Sequence, residues 1–192
     1  MMSYLIICVG LITLMKDIPK TCAENSSYSM SVRKYVCIDM PYKETILHSC
    51  KSIPRRNAPT MVTVLMDVPK LYDNFVLQLL VFYKFSTYQP FLITIDRNGC
   101  EFIRHPPQFG VEKHVYDVLK ETLPELLEPC PAGNRTYNLT WYFHQRLSLK
   151  HVPAGEYKLR FKLISPPSNT LFGMDIFITV RNAGIISSFM TE

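Results

Sequence analysis

The chain has 192 residues, 47% of them hydrophobic and 12% aromatic, and carries 21 basic against 16 acidic side chains for a net charge of +5. That much apolar material argues for a packed core and against disorder. The basic residues come in ones and twos, as at Arg55-Arg56 and Lys150-His151, so nucleic-acid binding is not expected and membrane contact would be transient at most.

From Tyr4 to Met15 the chain is almost wholly apolar. About a dozen residues cannot cross a bilayer, which needs ~20, but they suit the centre of an export signal. Thr21-Cys22-Ala23 supplies small residues for cleavage. Residues 1–23 are therefore read as a signal peptide and 24–192 as a single domain of a secreted, extracellular protein. Roughly 170 residues are enough for one domain with a real core. Three Asn-x-Ser/Thr sequons, at Asn25, Asn134 and Asn138, mark candidate glycosylation sites and agree with export.

Tyr35 to Asp39 and Met61 to Val68 are weaker strand candidates. Phe75 to Lys84 and Phe91 to Ile95 are more apolar ones. Phe75, Leu77, Leu79 and Val81 share one face, while Val76, Leu80 and Phe82 make the other partly apolar too. Val111 to Leu127 breaks the two-residue period: Val111, Val115, Val118, Leu119, Thr122 and Leu126 recur at helical spacing. Pro124 removes a backbone donor and clashes with the preceding turn, so the helix should end near residue 123. Tyr137 to His144 sets Tyr137, Leu139, Trp141 and Phe143 against Asn138, Thr140, Tyr142 and His144. The clearest alternation is Glu156 to Ile164, with Tyr157, Leu159, Phe161 and Leu163 opposite Glu156, Lys158, Arg160 and Lys162. Met174, Ile176, Ile178 and Val180 then face away from Asp175, Thr179 and Arg181. Six to eight short strands and one helix predict a mainly β fold, a two-sheet antiparallel β-sandwich or open cup.

Cleavage would remove Cys8 and Cys22 and leave Cys37, Cys50, Cys100 and Cys130. Four cysteines in an exported chain suggest two disulfides, with three connectivities open. Neighbours in sequence, Cys37 with Cys50 and Cys100 with Cys130, make the simplest set.

Nothing in the chain points to catalysis. His48, His105, His114, His144 and His151 form no metal-ligand spacing, and no nucleophile elbow or phosphate-cradling glycine loop occurs. The evenly counted cysteines leave no free thiolate. The expectation is a protein without enzymatic activity, metal or cofactor.

Cys100, then Cys130-Pro131-x-Gly133 followed by Tyr137, then Pro153-x-Gly155-x-Tyr157-x-Leu159, resembles the ML (lipid-recognition) superfamily. The likeness is nearest to its ganglioside-activator-like branch and to the related insect chemosensory Che-type secreted proteins. It spans roughly residues 35–185 and includes Gly173-Met174-Asp175-Ile176-x-Ile178. The resemblance implies a disulfide-stapled β-cup around an apolar cavity, with no enzymatic activity and with lipids or other hydrophobic small molecules as ligands. Met174 stands where the activators carry a cysteine bridged back to their first strand. That departure favours a local Cys37–Cys50 bridge and weakens the carry-over of activator function.

The leading expectation is a secreted carrier for a hydrophobic small molecule or lipid in insect chemosensation, as in pheromone or contact-chemical sensing. The candidate cavity liners are Phe75, Leu77, Leu79, Phe91 and Ile93 from the middle of the chain, and Trp141, Phe143, Leu159 and Phe161 from its later strands. A second reading is a lipid-presenting accessory protein for a hydrolase, with an exposed apolar loop near His105 to Gly110. A third is an extracellular module that meets a receptor without a small ligand. A chemoreceptor or a hydrolase would then be the protein partner.

Overall fold

The computed structural model describes residues 28–144 and 152–182. The signal-peptide reading of residues 1–23, the Asn25 sequon and the Lys150-His151 pair lie outside these residues. Eight strands run in chain order: β1 (Tyr28–Cys37), β2 (Ile46–Arg55), β3 (Ala58–Tyr72), β4 (Val76–Lys84), β5 (Tyr88–Asn98), β6 (Ala132–Tyr142), β7 (Gly155–Ser165) and β8 (Asn169–Asn182). Two helices, α1 (Gly99–Arg104) and α2 (Gly110–Thr122), and a 3-10 turn (Pro124–Leu127) fill the stretch between β5 and β6.

The strands form two antiparallel sheets, a five-stranded one in the order β1-β8-β7-β4-β5 and a three-stranded one in the order β2-β3-β6. This is the mainly β, two-sheet cup expected from the alternation of apolar residues. The inner faces follow that alternation: Val62, Val64, Met66 and Val68 of β3 meet Met174, Ile176, Ile178 and Val180 of β8 in one buried cluster. Apolar burial of about 25 cal/mol per Å² drives the two faces together. Two disulfides, Cys37–Cys50 and Cys100–Cys130, close the ends. The first ties β1 of the large sheet to β2 of the small one.

The small sheet covers only part of the large one. Over β4 and β5 its place is taken by α2, whose Val111, Val115, Tyr116 and Leu119 pack on Leu77, Leu79, Ile95 and Phe102. The helix begins one residue before the expected start and ends at Thr122, just ahead of Pro124. Arg97 of β5 clamps Glu112 in its first turn, with Nη2 donating at 3.0 Å.

Three features differ from the sequence reading. Strand β2 was not anticipated, because Ile46 to Arg55 lacks a two-residue period and its register shifts twice against β3. Helix α1 was not anticipated either. It is only six residues long, and its start is set by Asn98, whose side-chain oxygen accepts from the Glu101 N–H at 2.9 Å. Finally, the outer face of β7 and β8 is not a simple solvated face. Asp175 is only 5% exposed there. Arg160 donates to it through Nε at 2.8 Å and Nη2 at 2.9 Å, and the Lys158 ammonium lies 4.0 Å away. Lys158 also sits 4.3 Å above the Phe82 ring, so the apolar second face of β4 is covered by cationic stems rather than by another layer.

Candidate functional site: an apolar cavity between sheet and helix

Where the three-stranded sheet gives way to α2, the inner faces do not close completely. A cavity of about 140 Å³ remains there. Its floor comes from alternate residues of four strands: Val64, Met66 and Val68 of β3, Tyr137 and Leu139 of β6, Phe161 and Leu163 of β7, and Phe172 of β8. Phe75, Leu77 and Leu119 of α2 close the side toward the helix. Most of the strand residues in this lining are buried, as expected for side chains pointing inward from a two-residue period.

The solvent side is formed by one short stretch. Glu125, Glu128, Pro129 and Pro131 are lining residues that are also exposed, and all lie on the 3-10 turn or just after it. This lip is anchored by the Cys100–Cys130 disulfide at one end. At the other, Thr122 ties the end of α2 to β6: its hydroxyl donates to the Val118 carbonyl at 2.7 Å and accepts from the Trp141 indole N–H at 2.9 Å. Gly133 follows the lip at φ +114°, where an added Cβ would stand 2.1 Å from the Lys70 carbonyl oxygen. Glycine is therefore the residue that lets β6 pass this close to β3.

The charged side chains of the lining are Glu125, Glu128 and Arg135, all at the lip. Arg135 donates to the Glu128 carboxylate through Nη1, and its guanidinium carbon lies 4.6 Å above the Tyr137 ring. Hydrogen bonding to Glu128 holds the Arg135 guanidinium firmly protonated. Deeper in, burial raises the Tyr137 phenol above its ordinary range. Tyr72 is pushed up to about 12 by burial and by its hydrogen bond to Glu44, whose carboxylate it meets at 3.1 Å. Both phenols are neutral over the physiological range, so the interior carries no charge.

Of the expected liners, the structure brings Phe75, Leu77 and Phe161 to the cavity. Phe75 does so from the residue before β4, where its carbonyl accepts from the Gly99 N–H at 2.6 Å. Leu79 is buried beneath α2 instead. Leu159 packs against both clusters without reaching the cavity, and Phe91, Ile93, Trp141 and Phe143 pack against the main core away from it. Phe91 there joins an aromatic group with Tyr83 and Tyr157, at ring distances of 5.5 and 5.9 Å. The liners on β3 were missed, although the alternation of Val62, Val64, Met66 and Val68 is visible in the sequence. Only the path of α2 decides which stretch of a continuous apolar face is left uncovered. The sequon residues Asn134 and Asn138 are exposed on β6, an edge strand.

Among the described residues, no three His, Cys, Asp or Glu side chains come together in a way that could hold a metal ion. No helix among them is long and apolar enough to cross a membrane. What the site can do with the groups present is exclude water and surround an apolar molecule.

A protein family of unknown function (DUF1091) matches residues 77–159, from β4 through the helices and the lip to the start of β7. No curated protein matches the chain. Among solved structures, chicken MD-1 complexed with lipid IVa is 12% identical, with 81% of this chain and 91% of that chain covered and a TM-score of 0.35. A Niemann-Pick type C2 protein from Japanese carpenter ant is 14% identical, with coverages of 71% and 88% and a TM-score of 0.29. The two antiparallel sheets, the short helices and the two disulfides agree with the disulfide-stapled β-cup expected from the sequence.

Proposed function

We propose that this protein is a secreted, non-enzymatic binding protein for a hydrophobic small molecule or lipid, acting in insect chemosensation. The observation that carries the binding reading is the cavity of about 140 Å³ with uncharged walls and a single charged lip. An apolar cavity of ~150 Å³ holds a molecule the size of benzene, and each methylene removed from water contributes about 0.8 kcal/mol. A ring or a short alkyl segment can therefore be held without a polar anchor. The chemosensory part rests on the resemblance to the insect Che-type proteins.

A lipid-presenting accessory role is favoured by one feature, Phe109, which is 85% exposed in the loop between α1 and α2. It would place an aromatic ring at a membrane surface. A receptor module with no small ligand leaves the cavity without a purpose.

The test is native mass spectrometry of protein secreted from insect cells, followed by calorimetric titration with octan-1-ol. A co-purified apolar molecule or saturable octanol binding is expected. Protein recovered empty, with no heat of binding, would refute the proposal.

A further inference from the structure

Resting on the binding reading, the charge around the cavity narrows the ligand class. The walls supply no ionisable group other than the phenols of Tyr72 and Tyr137, and the charged lining groups are Glu125, Glu128 and Arg135. One cation against two anions leaves the lip with net negative charge. The cation is already engaged, since Arg135 donates to Glu128 and lies on the Tyr137 ring. A carboxylate or phosphate arriving at this lip would have to displace Glu128 from Arg135 and then remain beside two glutamates. An uncharged head faces neither cost.

We infer that the cavity selects an uncharged apolar molecule, such as a hydrocarbon, alcohol or ester, against the corresponding fatty-acid anion, and that Glu125 and Glu128 are the residues that set this preference. The apolar walls grip the alkyl part equally in both cases. The acidic lip supplies the difference, because like charges within a few ångströms at a partly desolvated edge lower affinity by about tenfold or more. Arg135 is thereby a positioning residue: it holds Glu128 over the opening rather than receiving an anionic ligand.

The experiment compares octan-1-ol with octanoate at pH 7.5 by calorimetric titration on the full secreted protein. It uses the wild type and the Glu125→Gln/Glu128→Gln double variant, with near-UV circular dichroism to confirm the native fold. Wild-type protein is expected to prefer octanol by tenfold or more. The double variant should shift the octanoate-to-octanol affinity ratio at least tenfold toward octanoate, because the two negative charges are gone and Arg135 is released. A milder variant, Glu125→Gln alone, removes one charge outside the ion pair and should move the octanoate-to-octanol ratio in the same direction. Equal binding of the two ligands by wild type, or a ratio unmoved by either variant, would overturn the inference while leaving the binding function intact. No binding of either ligand by any protein would overturn both.

Discussion

Val64 offers a way to ask whether the cavity is a real void that the protein tolerates for the sake of a ligand. It lies in the middle of β3, opposite Cys50 on one side and Leu139 on the other, is 5% exposed, and forms part of the cavity floor. Val64→Phe adds about four carbons, worth up to ~3 kcal/mol if they enter space already present. In a fully packed core the same change would cost 1–3 kcal/mol or more through forced rotamers and backbone shifts. With about 140 Å³ to grow into, the variant should keep its unliganded stability within about 1 kcal/mol of wild type or exceed it.

The ring should at the same time displace about four carbons of ligand, costing ~3 kcal/mol of binding, or roughly a hundredfold in Kd. Urea denaturation measures the first quantity and calorimetric titration with octan-1-ol the second. A variant destabilised by more than ~3 kcal/mol would mean that the space is not available to a side chain. Unchanged octanol affinity would mean that the ligand binds elsewhere. Either result refutes the reasoning.

Replacing both Cys100 and Cys130 by serine opens a 30-residue separation and should lower stability by about 3–4 kcal/mol in urea, with limited proteolysis cutting first between residues 124 and 131. Asp175→Ala leaves Arg160 and Lys158 facing each other on a half-buried surface. Thermal unfolding should register a loss of about 2 kcal/mol, with Asp175→Asn less damaging. Glu44 accepts hydrogen bonds from Asn169 at 2.6 Å, Ser165 at 3.0 Å and Tyr72 at 3.1 Å, and these hold its carboxyl below the usual range. Its contribution is therefore complete above its unfolded pKa and fades as pH falls through the lower folded value. Urea midpoints followed from pH 6 to pH 3 should drop less steeply in Glu44→Gln than in wild type.

Much of the fold is legible in the sequence where one face of a strand is buried and the other is not. Strand β7 was placed to within a residue at each end and β6 and β8 over their later parts, because apolar and polar residues alternate there, and α2 was placed because its spacing changes and Pro124 stops it. The glycines in the recognised motif mark backbone that other residues rarely adopt. Gly155 has φ +152° and lies against the Tyr83 ring, and Gly133 has φ +114° against β3. The site was harder to read. A liner and an ordinary core residue are chemically the same, so Phe161 and Leu159 of β7 look alike in sequence, yet only the first reaches the cavity. What separates them is the position of α2 over the large sheet, a tertiary fact with no local signature. The burial of Asp175 has no local signature for a related reason: its face follows from the alternation, but aromatic and cationic neighbours on β4 and β7 cover that outer face as well.

The cavity follows from an imbalance in the architecture. Five strands present an inner face that three strands can only partly cover, and one short helix must cover the remainder. Side chains of facing sheets interdigitate in regular rows about 10 Å apart, whereas a helix offers a curved ridge of similar width. A gap at the line where the two kinds of cover meet is therefore hard to close with the residues of either. The chain leaves that line apolar, with Leu119 on the helix side and Leu139 on the sheet side, and draws the stretch from Pro124 to Pro131 across its open edge. The Cys100–Cys130 bridge fixes that stretch to the first turn of α1, directly after β5. The same eight residues thus carry both glutamates of the lip and, at Cys130, the covalent tie to Cys100 at the start of α1.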